Sequence, residues 1–207
     1  MDFLLLGSLT PEQVLRRMTI DGRDRLDAAL AGGRGAILAA PHMGSWDMAG
    51  AYAGAMGYPI SAVTARFPGS LNEAVAHSRR RFGLDVIMPG RSAVRAITKA
   101  LNANHIVGLL CDLEQGPGVD VRFFGRRAVV PGGPAAIALK TGAPLMPAYQ
   151  YAVLPGHYHV HLDAPLAIGK WETKETLMQR VVSRLEEFIK ERPEQWYAFR
   201  PMFKDAG

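Results

Sequence analysis

The chain has 207 residues, enough for one domain with a sizeable core, and its 48% apolar and 21% charged residues exclude a disordered protein. A net charge of +5 permits contact with anionic lipid, nucleic acid or an acidic carrier and separates none of these. The single cysteine, Cys111, excludes an internal disulfide framework and fits a reducing compartment; at the end of an apolar run it reads as packing.

The opening Met1-Asp2-Phe3-Leu4-Leu5-Leu6-Gly7 is too short for a signal peptide and lacks a basic n-region. No stretch reaches the roughly 20 apolar residues that span a bilayer, so work on lipid would be done from the surface. Thr10-Pro11-Glu12-Gln13 combines an N-cap, a proline at N1 and acidic support, which predicts a helix through about Met18. A second helix is expected from Asp21 to Leu30, stopped by Gly32-Gly33. These make 1–33 a helical lead-in to a core over 34–203, all within one domain spanning 1–207.

Gly35 to Ala40 reads as a short buried strand, Pro41 to Gly44 as a loop, and Ser45 as the cap of a small-residue helix reaching about Met56. Strands are expected at Ile60 to Thr64, Leu84 to Met88 and Ile106 to Asp112, and helices at Leu71 to Phe82 and Arg91 to Asn102. A strand at Val119 to Phe124 precedes a Pro131-Gly132-Gly133-Pro134 loop and a helix from Ala135 to Thr141. Pro144 to Val153 and Tyr158 to Ala164 read as paired late strands, and Thr173 to Glu191 as a long amphipathic helix. Alternation at these intervals predicts an α/β fold: one mixed, mostly parallel sheet with helices on both faces.

Active sites in open α/β sheets lie at the carboxyl ends of strands, which draws attention to His42 and Asp47 after the first core strand. A helix bending from the strand end could swing Asp47 toward the imidazole, fixing its tautomer and leaving the other nitrogen basic. Gly44 allows close backbone approach, and amides near Gly44 and Ser45 could stabilise an oxyanion. Asp112-Leu113-Glu114 ends a second apolar strand, so Glu114 or Asp112 could reach the same ring. Phe123 and Phe124, beside Gly125, are either core or the lining of an acyl-chain channel. Arg79, Arg80 and Arg81 cannot share one helix face, so at most one or two point at a site. His157, His159 and His161 alternate along a strand that would spread them apart, which argues for a polar sheet face and no metal.

These segments resemble, in order and spacing, the bacterial lipid A biosynthesis acyltransferases of lauroyl and myristoyl types and the related phosphatidylinositol mannoside acyltransferases. The shared pieces are His42-x4-Asp47, Arg79 to Gly83, Asp112-Leu113-Glu114, Phe123-Phe124-Gly125, the Pro-Gly-Gly-Pro helix start, and Glu194-Gln195-Trp196-Tyr197 with Arg200. The resemblance implies a glycerolipid-acyltransferase-like fold and His42 and Asp47 as catalytic pair, with Glu114 supporting the histidine and Asp112 behind it. One of Arg79, Arg80 and Arg81 corresponds to the family's arginine ahead of the glycine. It further implies an acyl-CoA or acyl carrier protein donor, a hydroxyl of a membrane lipid as acceptor, and no cofactor, metal or nucleic acid. Peripheral attachment at the cytoplasmic face of the inner membrane, with contact to an anionic surface, is expected. Family members usually carry an N-terminal apolar region that docks on the membrane, whereas this chain begins almost at the family's core. A hydrolase using Ser45 would need a Gly-x-Ser-x-Gly elbow that the sequence lacks. A non-catalytic lipid-binding module is the other alternative.

Overall fold

The computed structural model describes residues 5–64, 69–115, 118–199 and 203, apart from the side chains of Ser70 and Leu71. Along β2 (Ala36–Ala40), Ala36 and Leu38 join one apolar cluster while Ile37 and Ala39 join another. Side chains alternate across a strand, so apolar residues at every position mean that both faces are covered. The same holds for β5 (Ile106–Leu110), with Ile106 in one cluster and Val107 and Leu109 in the other.

The sheet has seven strands in the order β1-β9-β8-β2-β5-β3-β4. Here β1 is Met18–Asp21, β3 Ile60–Val63, β4 Leu84–Ile87, β8 Leu145–Leu154 and β9 His157–Leu162. Every neighbouring pair is parallel except β8 and β9, the late strands expected to pair, which run antiparallel. The α/β class read from the sequence is the class observed. Among the described residues seven α-helices surround the sheet: α1 (Pro11–Arg16), α2 (Arg23–Ala31), α3 (Trp46–Ala55), α4 (Ser70–Arg81), α5 (Ala93–Asn102), α6 (Gly133–Thr141) and α7 (Lys174–Glu191). Helices α1, α2 and α3 bury residues against one face, and α5, α6 and α7 against the other.

Local signals placed the helix starts well. The Thr10 side chain accepts from the Gln13 amide and Gln13 returns a bond to the Thr10 amide, a complete capping box. Thr173 and Thr176 cap α7 in the same way.

Two strands escaped the sequence reading. Met18–Asp21, expected at a junction of helices, is the outer strand β1, because its amide groups find a parallel partner in β9. Arg126–Pro131 is β7, which pairs antiparallel with β6 (Gly118–Phe123) as a separate two-stranded ribbon. Its turn places Phe124 at φ +51° and Gly125 at φ +74°, the doubly left-handed geometry that joins adjacent strands tightly. A non-glycine residue at such an angle is held by its surroundings: the Phe124 amide donates to Glu186 Oε2 at 2.7 Å.

Candidate active site

Parallel pairing of β2 with β5 sets Ala40 beside Leu110. Two residues further along each strand come His42 and Asp112, so the register brings them out side by side. The His42 ring nitrogen Nδ1 lies 2.6 Å from Asp112 Oδ1, and the His42 amide donates to Asp112 Oδ2 at 2.9 Å. Asp112 is fully buried, and the His42 side chain is 17% exposed. A buried carboxylate on Nδ1 sets the ring's orientation and leaves Nε2 to act as base.

The loop carrying His42 is clamped from two further sides. From β8, Gln150 Nε2 donates to the Met43 carbonyl at 2.6 Å. From the segment after α7, Trp196 bridges Met43 in antiparallel fashion, the Gln195 carbonyl accepts the Gly44 amide at 3.1 Å, and the Tyr197 amide donates to the His42 carbonyl at 2.7 Å. Gly44 must be glycine here: its φ is +59°, and a Cβ would sit 2.2 Å from the Gln150 carbonyl oxygen. Since its amide is spent on Gln195, Gly44 does not supply the oxyanion donor expected of it. Ser45 is buried at the start of α3, where its side chain makes no capping bond.

Asp47 occupies the first turn of α3, as expected, but the imidazole's Nδ1 belongs to Asp112. The Asp47 carboxylate instead receives Arg79, with Nε at 2.8 Å and Nη2 at 2.7 Å from Oδ1. Both side chains are almost wholly buried, at 7% and 5% exposure. Helical rotation thereby separates the three arginines. Arg79 faces inward, whereas Arg80 and Arg81 are exposed and Arg81 donates to the Gly7 carbonyl. Glu114 is exposed in the loop beyond β5, so the carboxylate that reaches His42 is Asp112, the second of the two candidates. Strand register makes that choice, for Glu114 lies two residues past the position level with His42.

Trp196 was part of the recognised pattern without a role. Its indole Nε1 donates to Asp112 Oδ2 at 2.7 Å, so the carboxylate is held by ring, backbone and indole together. Phe123 and Phe124 stack on each other at 4.7 Å and pack against the Trp196 ring at 5.7 and 5.5 Å. They are absent from the lining of the cavity described next; with Gly125 at the ribbon's turn they buttress Trp196, which corrects the channel-lining alternative. Arg200 lies outside the described residues.

His42, Asp47 and Arg79 open onto a cavity of about 840 Å³ with a mainly apolar lining. Its floor includes Ala62, Gly108 and Leu38, which are registered side by side across β3, β5 and β2. Ala49, Gly50 and Ala53 of α3 form part of the opposite wall. Nothing lies within 4 Å of where a Gly108 Cβ would be. Small residues on both surfaces thus leave the space between helix and sheet unfilled.

The family model described as bacterial lipid A biosynthesis acyltransferase matches residues 2–205. The chain is similar to a phosphatidylinositol mannoside acyltransferase of Mycobacterium tuberculosis (strain H37Rv), with 32% identity over 190 residues, covering 89% of this chain and 59% of the relative. A protein of the same name from Mycolicibacterium smegmatis is 37% identical over 131 residues, covering 61% of this chain and 43% of the relative. The chain therefore spans about half the length of the relatives it matches.

Proposed function

The chain belongs to the bacterial lipid A biosynthesis acyltransferase family, and on that premise we propose that it transfers a fatty acyl group to a hydroxyl of a membrane glycolipid, with His42 as general base. The observation that carries the reading is the His42–Asp112 couple at an apolar cavity. Nε2 of His42 takes the acceptor's hydroxyl proton as that oxygen attacks the thioester carbonyl of acyl-CoA or acyl carrier protein. The tetrahedral intermediate collapses, the C–S bond breaks, and the imidazolium returns its proton to the leaving thiolate. Asp112 stabilises the imidazolium between these steps. General-base catalysis of this kind contributes about 10²- to 10⁴-fold. The acyl chain lies in the cavity, where the apolar lining replaces water around its methylenes at roughly 0.8 kcal/mol each.

Arg79, held by Asp47, fixes the polar end of the cavity and is the arginine that acts. The acceptor is a mannosylated phosphoinositide, in line with the names of the similar proteins. No metal or cofactor takes part. No helix among the described residues is long and apolar enough to cross a membrane. In this reading the protein meets its acceptor at the inner membrane's cytoplasmic face, where the basic charge favours an anionic surface.

The deciding experiment is mass spectrometry of lipids from cells lacking and overexpressing the protein, beside purified protein given acyl thioester with and without acceptor. A glycolipid gaining one acyl chain, lost with His42→Ala, is the expected result. Rapid release of free fatty acid without acceptor, or transfer that survives His42→Ala, overturns the proposal.

A further inference from the structure

Away from the cavity, the outer strands β1 and β9 gather two imidazoles and a carboxylate. Asp21, His159 and His161 present ligand atoms that lie within 4.8 Å of one another. Period two along β9 turns His159 and His161 to one face, and the parallel register sets Asp21 beside His161. The expectation that a straight strand spreads its histidines concerned three from β9 itself. Here the third ligand comes from the neighbouring strand, and His157 is not needed. None of the three groups lines the His42 cavity.

We propose that Asp21, His159 and His161 bind one divalent transition-metal ion, with Zn²⁺ the best chemical match. Two imidazoles and a carboxylate suit its borderline preference, and water completes a tetrahedron. The second observation is that each ring already has one nitrogen tied to a protein partner. Nδ1 of His159 lies 2.7 Å from Thr19 Oγ1, and Nε2 of His161 lies 3.2 Å from Asp163 Oδ1. Asp163 is itself held by Arg184, with Nε–Oδ2 at 2.6 Å and Nη2–Oδ1 at 3.1 Å. Metal-bound histidines characteristically donate their second nitrogen in this way, which fixes tautomer and ring plane. In His159 this leaves Nε2, the nitrogen that faces Asp21, for the metal.

The geometry needs only a modest contraction. Nε2 of His159 is already 3.4 Å from Asp21 Oδ2, close to the edge of a tetrahedron with bonds of roughly 2.0–2.1 Å. The Asp21 side chain is 68% exposed and has freedom to turn. Tyr151 and Tyr149 pack beside the His159 and His161 rings, each at 5.3 Å, and limit how far the rings can tilt. A bound ion would staple the outer strand β1 to β9 and raise the melting temperature by mass action.

The test uses the full chain without a histidine tag, stripped with chelator and titrated with ZnCl₂ by calorimetry and with CoCl₂ by visible absorption. One equivalent per chain is expected, with Co²⁺ giving tetrahedral ligand-field bands and Zn²⁺ raising the melting temperature. His159→Ala and His161→Ala should abolish it, and His157→Ala should leave it unchanged. Thr19→Val, which removes only a ring's support, should weaken binding about 10- to 100-fold. Asp21→Asn, at an exposed position that cannot upset the core, should weaken it by at least about tenfold. Absence of stoichiometric Zn²⁺ binding to the wild-type chain, or binding undiminished in Asp21→Asn, overturns the proposal and leaves a plain Asp21–His159 ion pair.

Discussion

Trp196 reaches Asp112 across 84 residues of sequence and donates its indole N–H to the carboxylate that holds His42. The bond makes a segment beyond the last long helix part of what holds the His42–Asp112 couple in place. A buried carboxylate needs hydrogen-bond donors, and here they come from the ring, the His42 amide and the indole. Trp196→Phe should keep the stacking on Phe124 while removing the donor. Loss of a hydrogen bond to a charged group costs about 1.5–3 kcal/mol. The expected outcome is a lower melting temperature and a transfer rate reduced at least about tenfold with little change in KM; steady-state kinetics and thermal unfolding check both.

Asp112 and Glu114 offer a sharper contrast. Asp112→Asn puts an amide where the ring needs an acceptor and favours the wrong tautomer, so transfer should fall by about 10²- to 10⁴-fold. Glu114→Gln should stay near wild type, because Glu114 is exposed beyond the strand end. Parallel assays of the two variants decide which carboxylate serves His42.

The arginines should separate by burial. Arg79→Met removes the guanidinium from the buried Asp47 carboxylate, and breaking such a pair costs about 3–5 kcal/mol. Arg80→Met and Arg81→Met should cost little, since both residues are exposed. Denaturant midpoints of the three variants measure the difference.

Cavity length should set chain length. Gly108→Leu projects a side chain into the open space on the cavity floor. Long acyl donors should lose kcat/KM while short donors keep theirs, with the fold retained. Equal losses for all donors would separate the cavity from the acyl chain.

Cys111 tests the interior. Burial pushes its thiol well above the ordinary value of 9.0, and the neighbouring Asp112 charge adds to the shift. Above pH 9 the unfolded thiol ionises while the folded one stays protonated, so the unfolded state holds fewer protons and stability falls as pH rises. The Cys111 contribution approaches about 1.4 kcal/mol per pH unit, so the fall in stability between pH 9 and 10 should be shallower in Cys111→Ala. In the native protein the thiol should resist alkylation until the chain unfolds.

By itself the sequence determined what depends on neighbours along the chain. Strand–helix alternation, the Thr10 and Thr173 caps, the turn glycines and the short motifs all act over a few residues, and these were legible. That His42 and the strand-end acids would lie together at the sheet's edge was legible too, because a polar residue just past a buried strand must emerge there. Which acid serves the ring was not, since that depends on pairing between strands 70 residues apart. Register placed Asp112 level with His42, left Glu114 two residues beyond, and gave Asp47 to Arg79. Weak local signals failed for the same reason at β1 and β7, whose backbone groups are satisfied only by partners supplied in the fold. Only tertiary structure could bring Trp196 to Asp112 and Asp21 to His159, for hydrogen bonds and ligand sets are fixed by distance in space and carry no mark of separation along the chain.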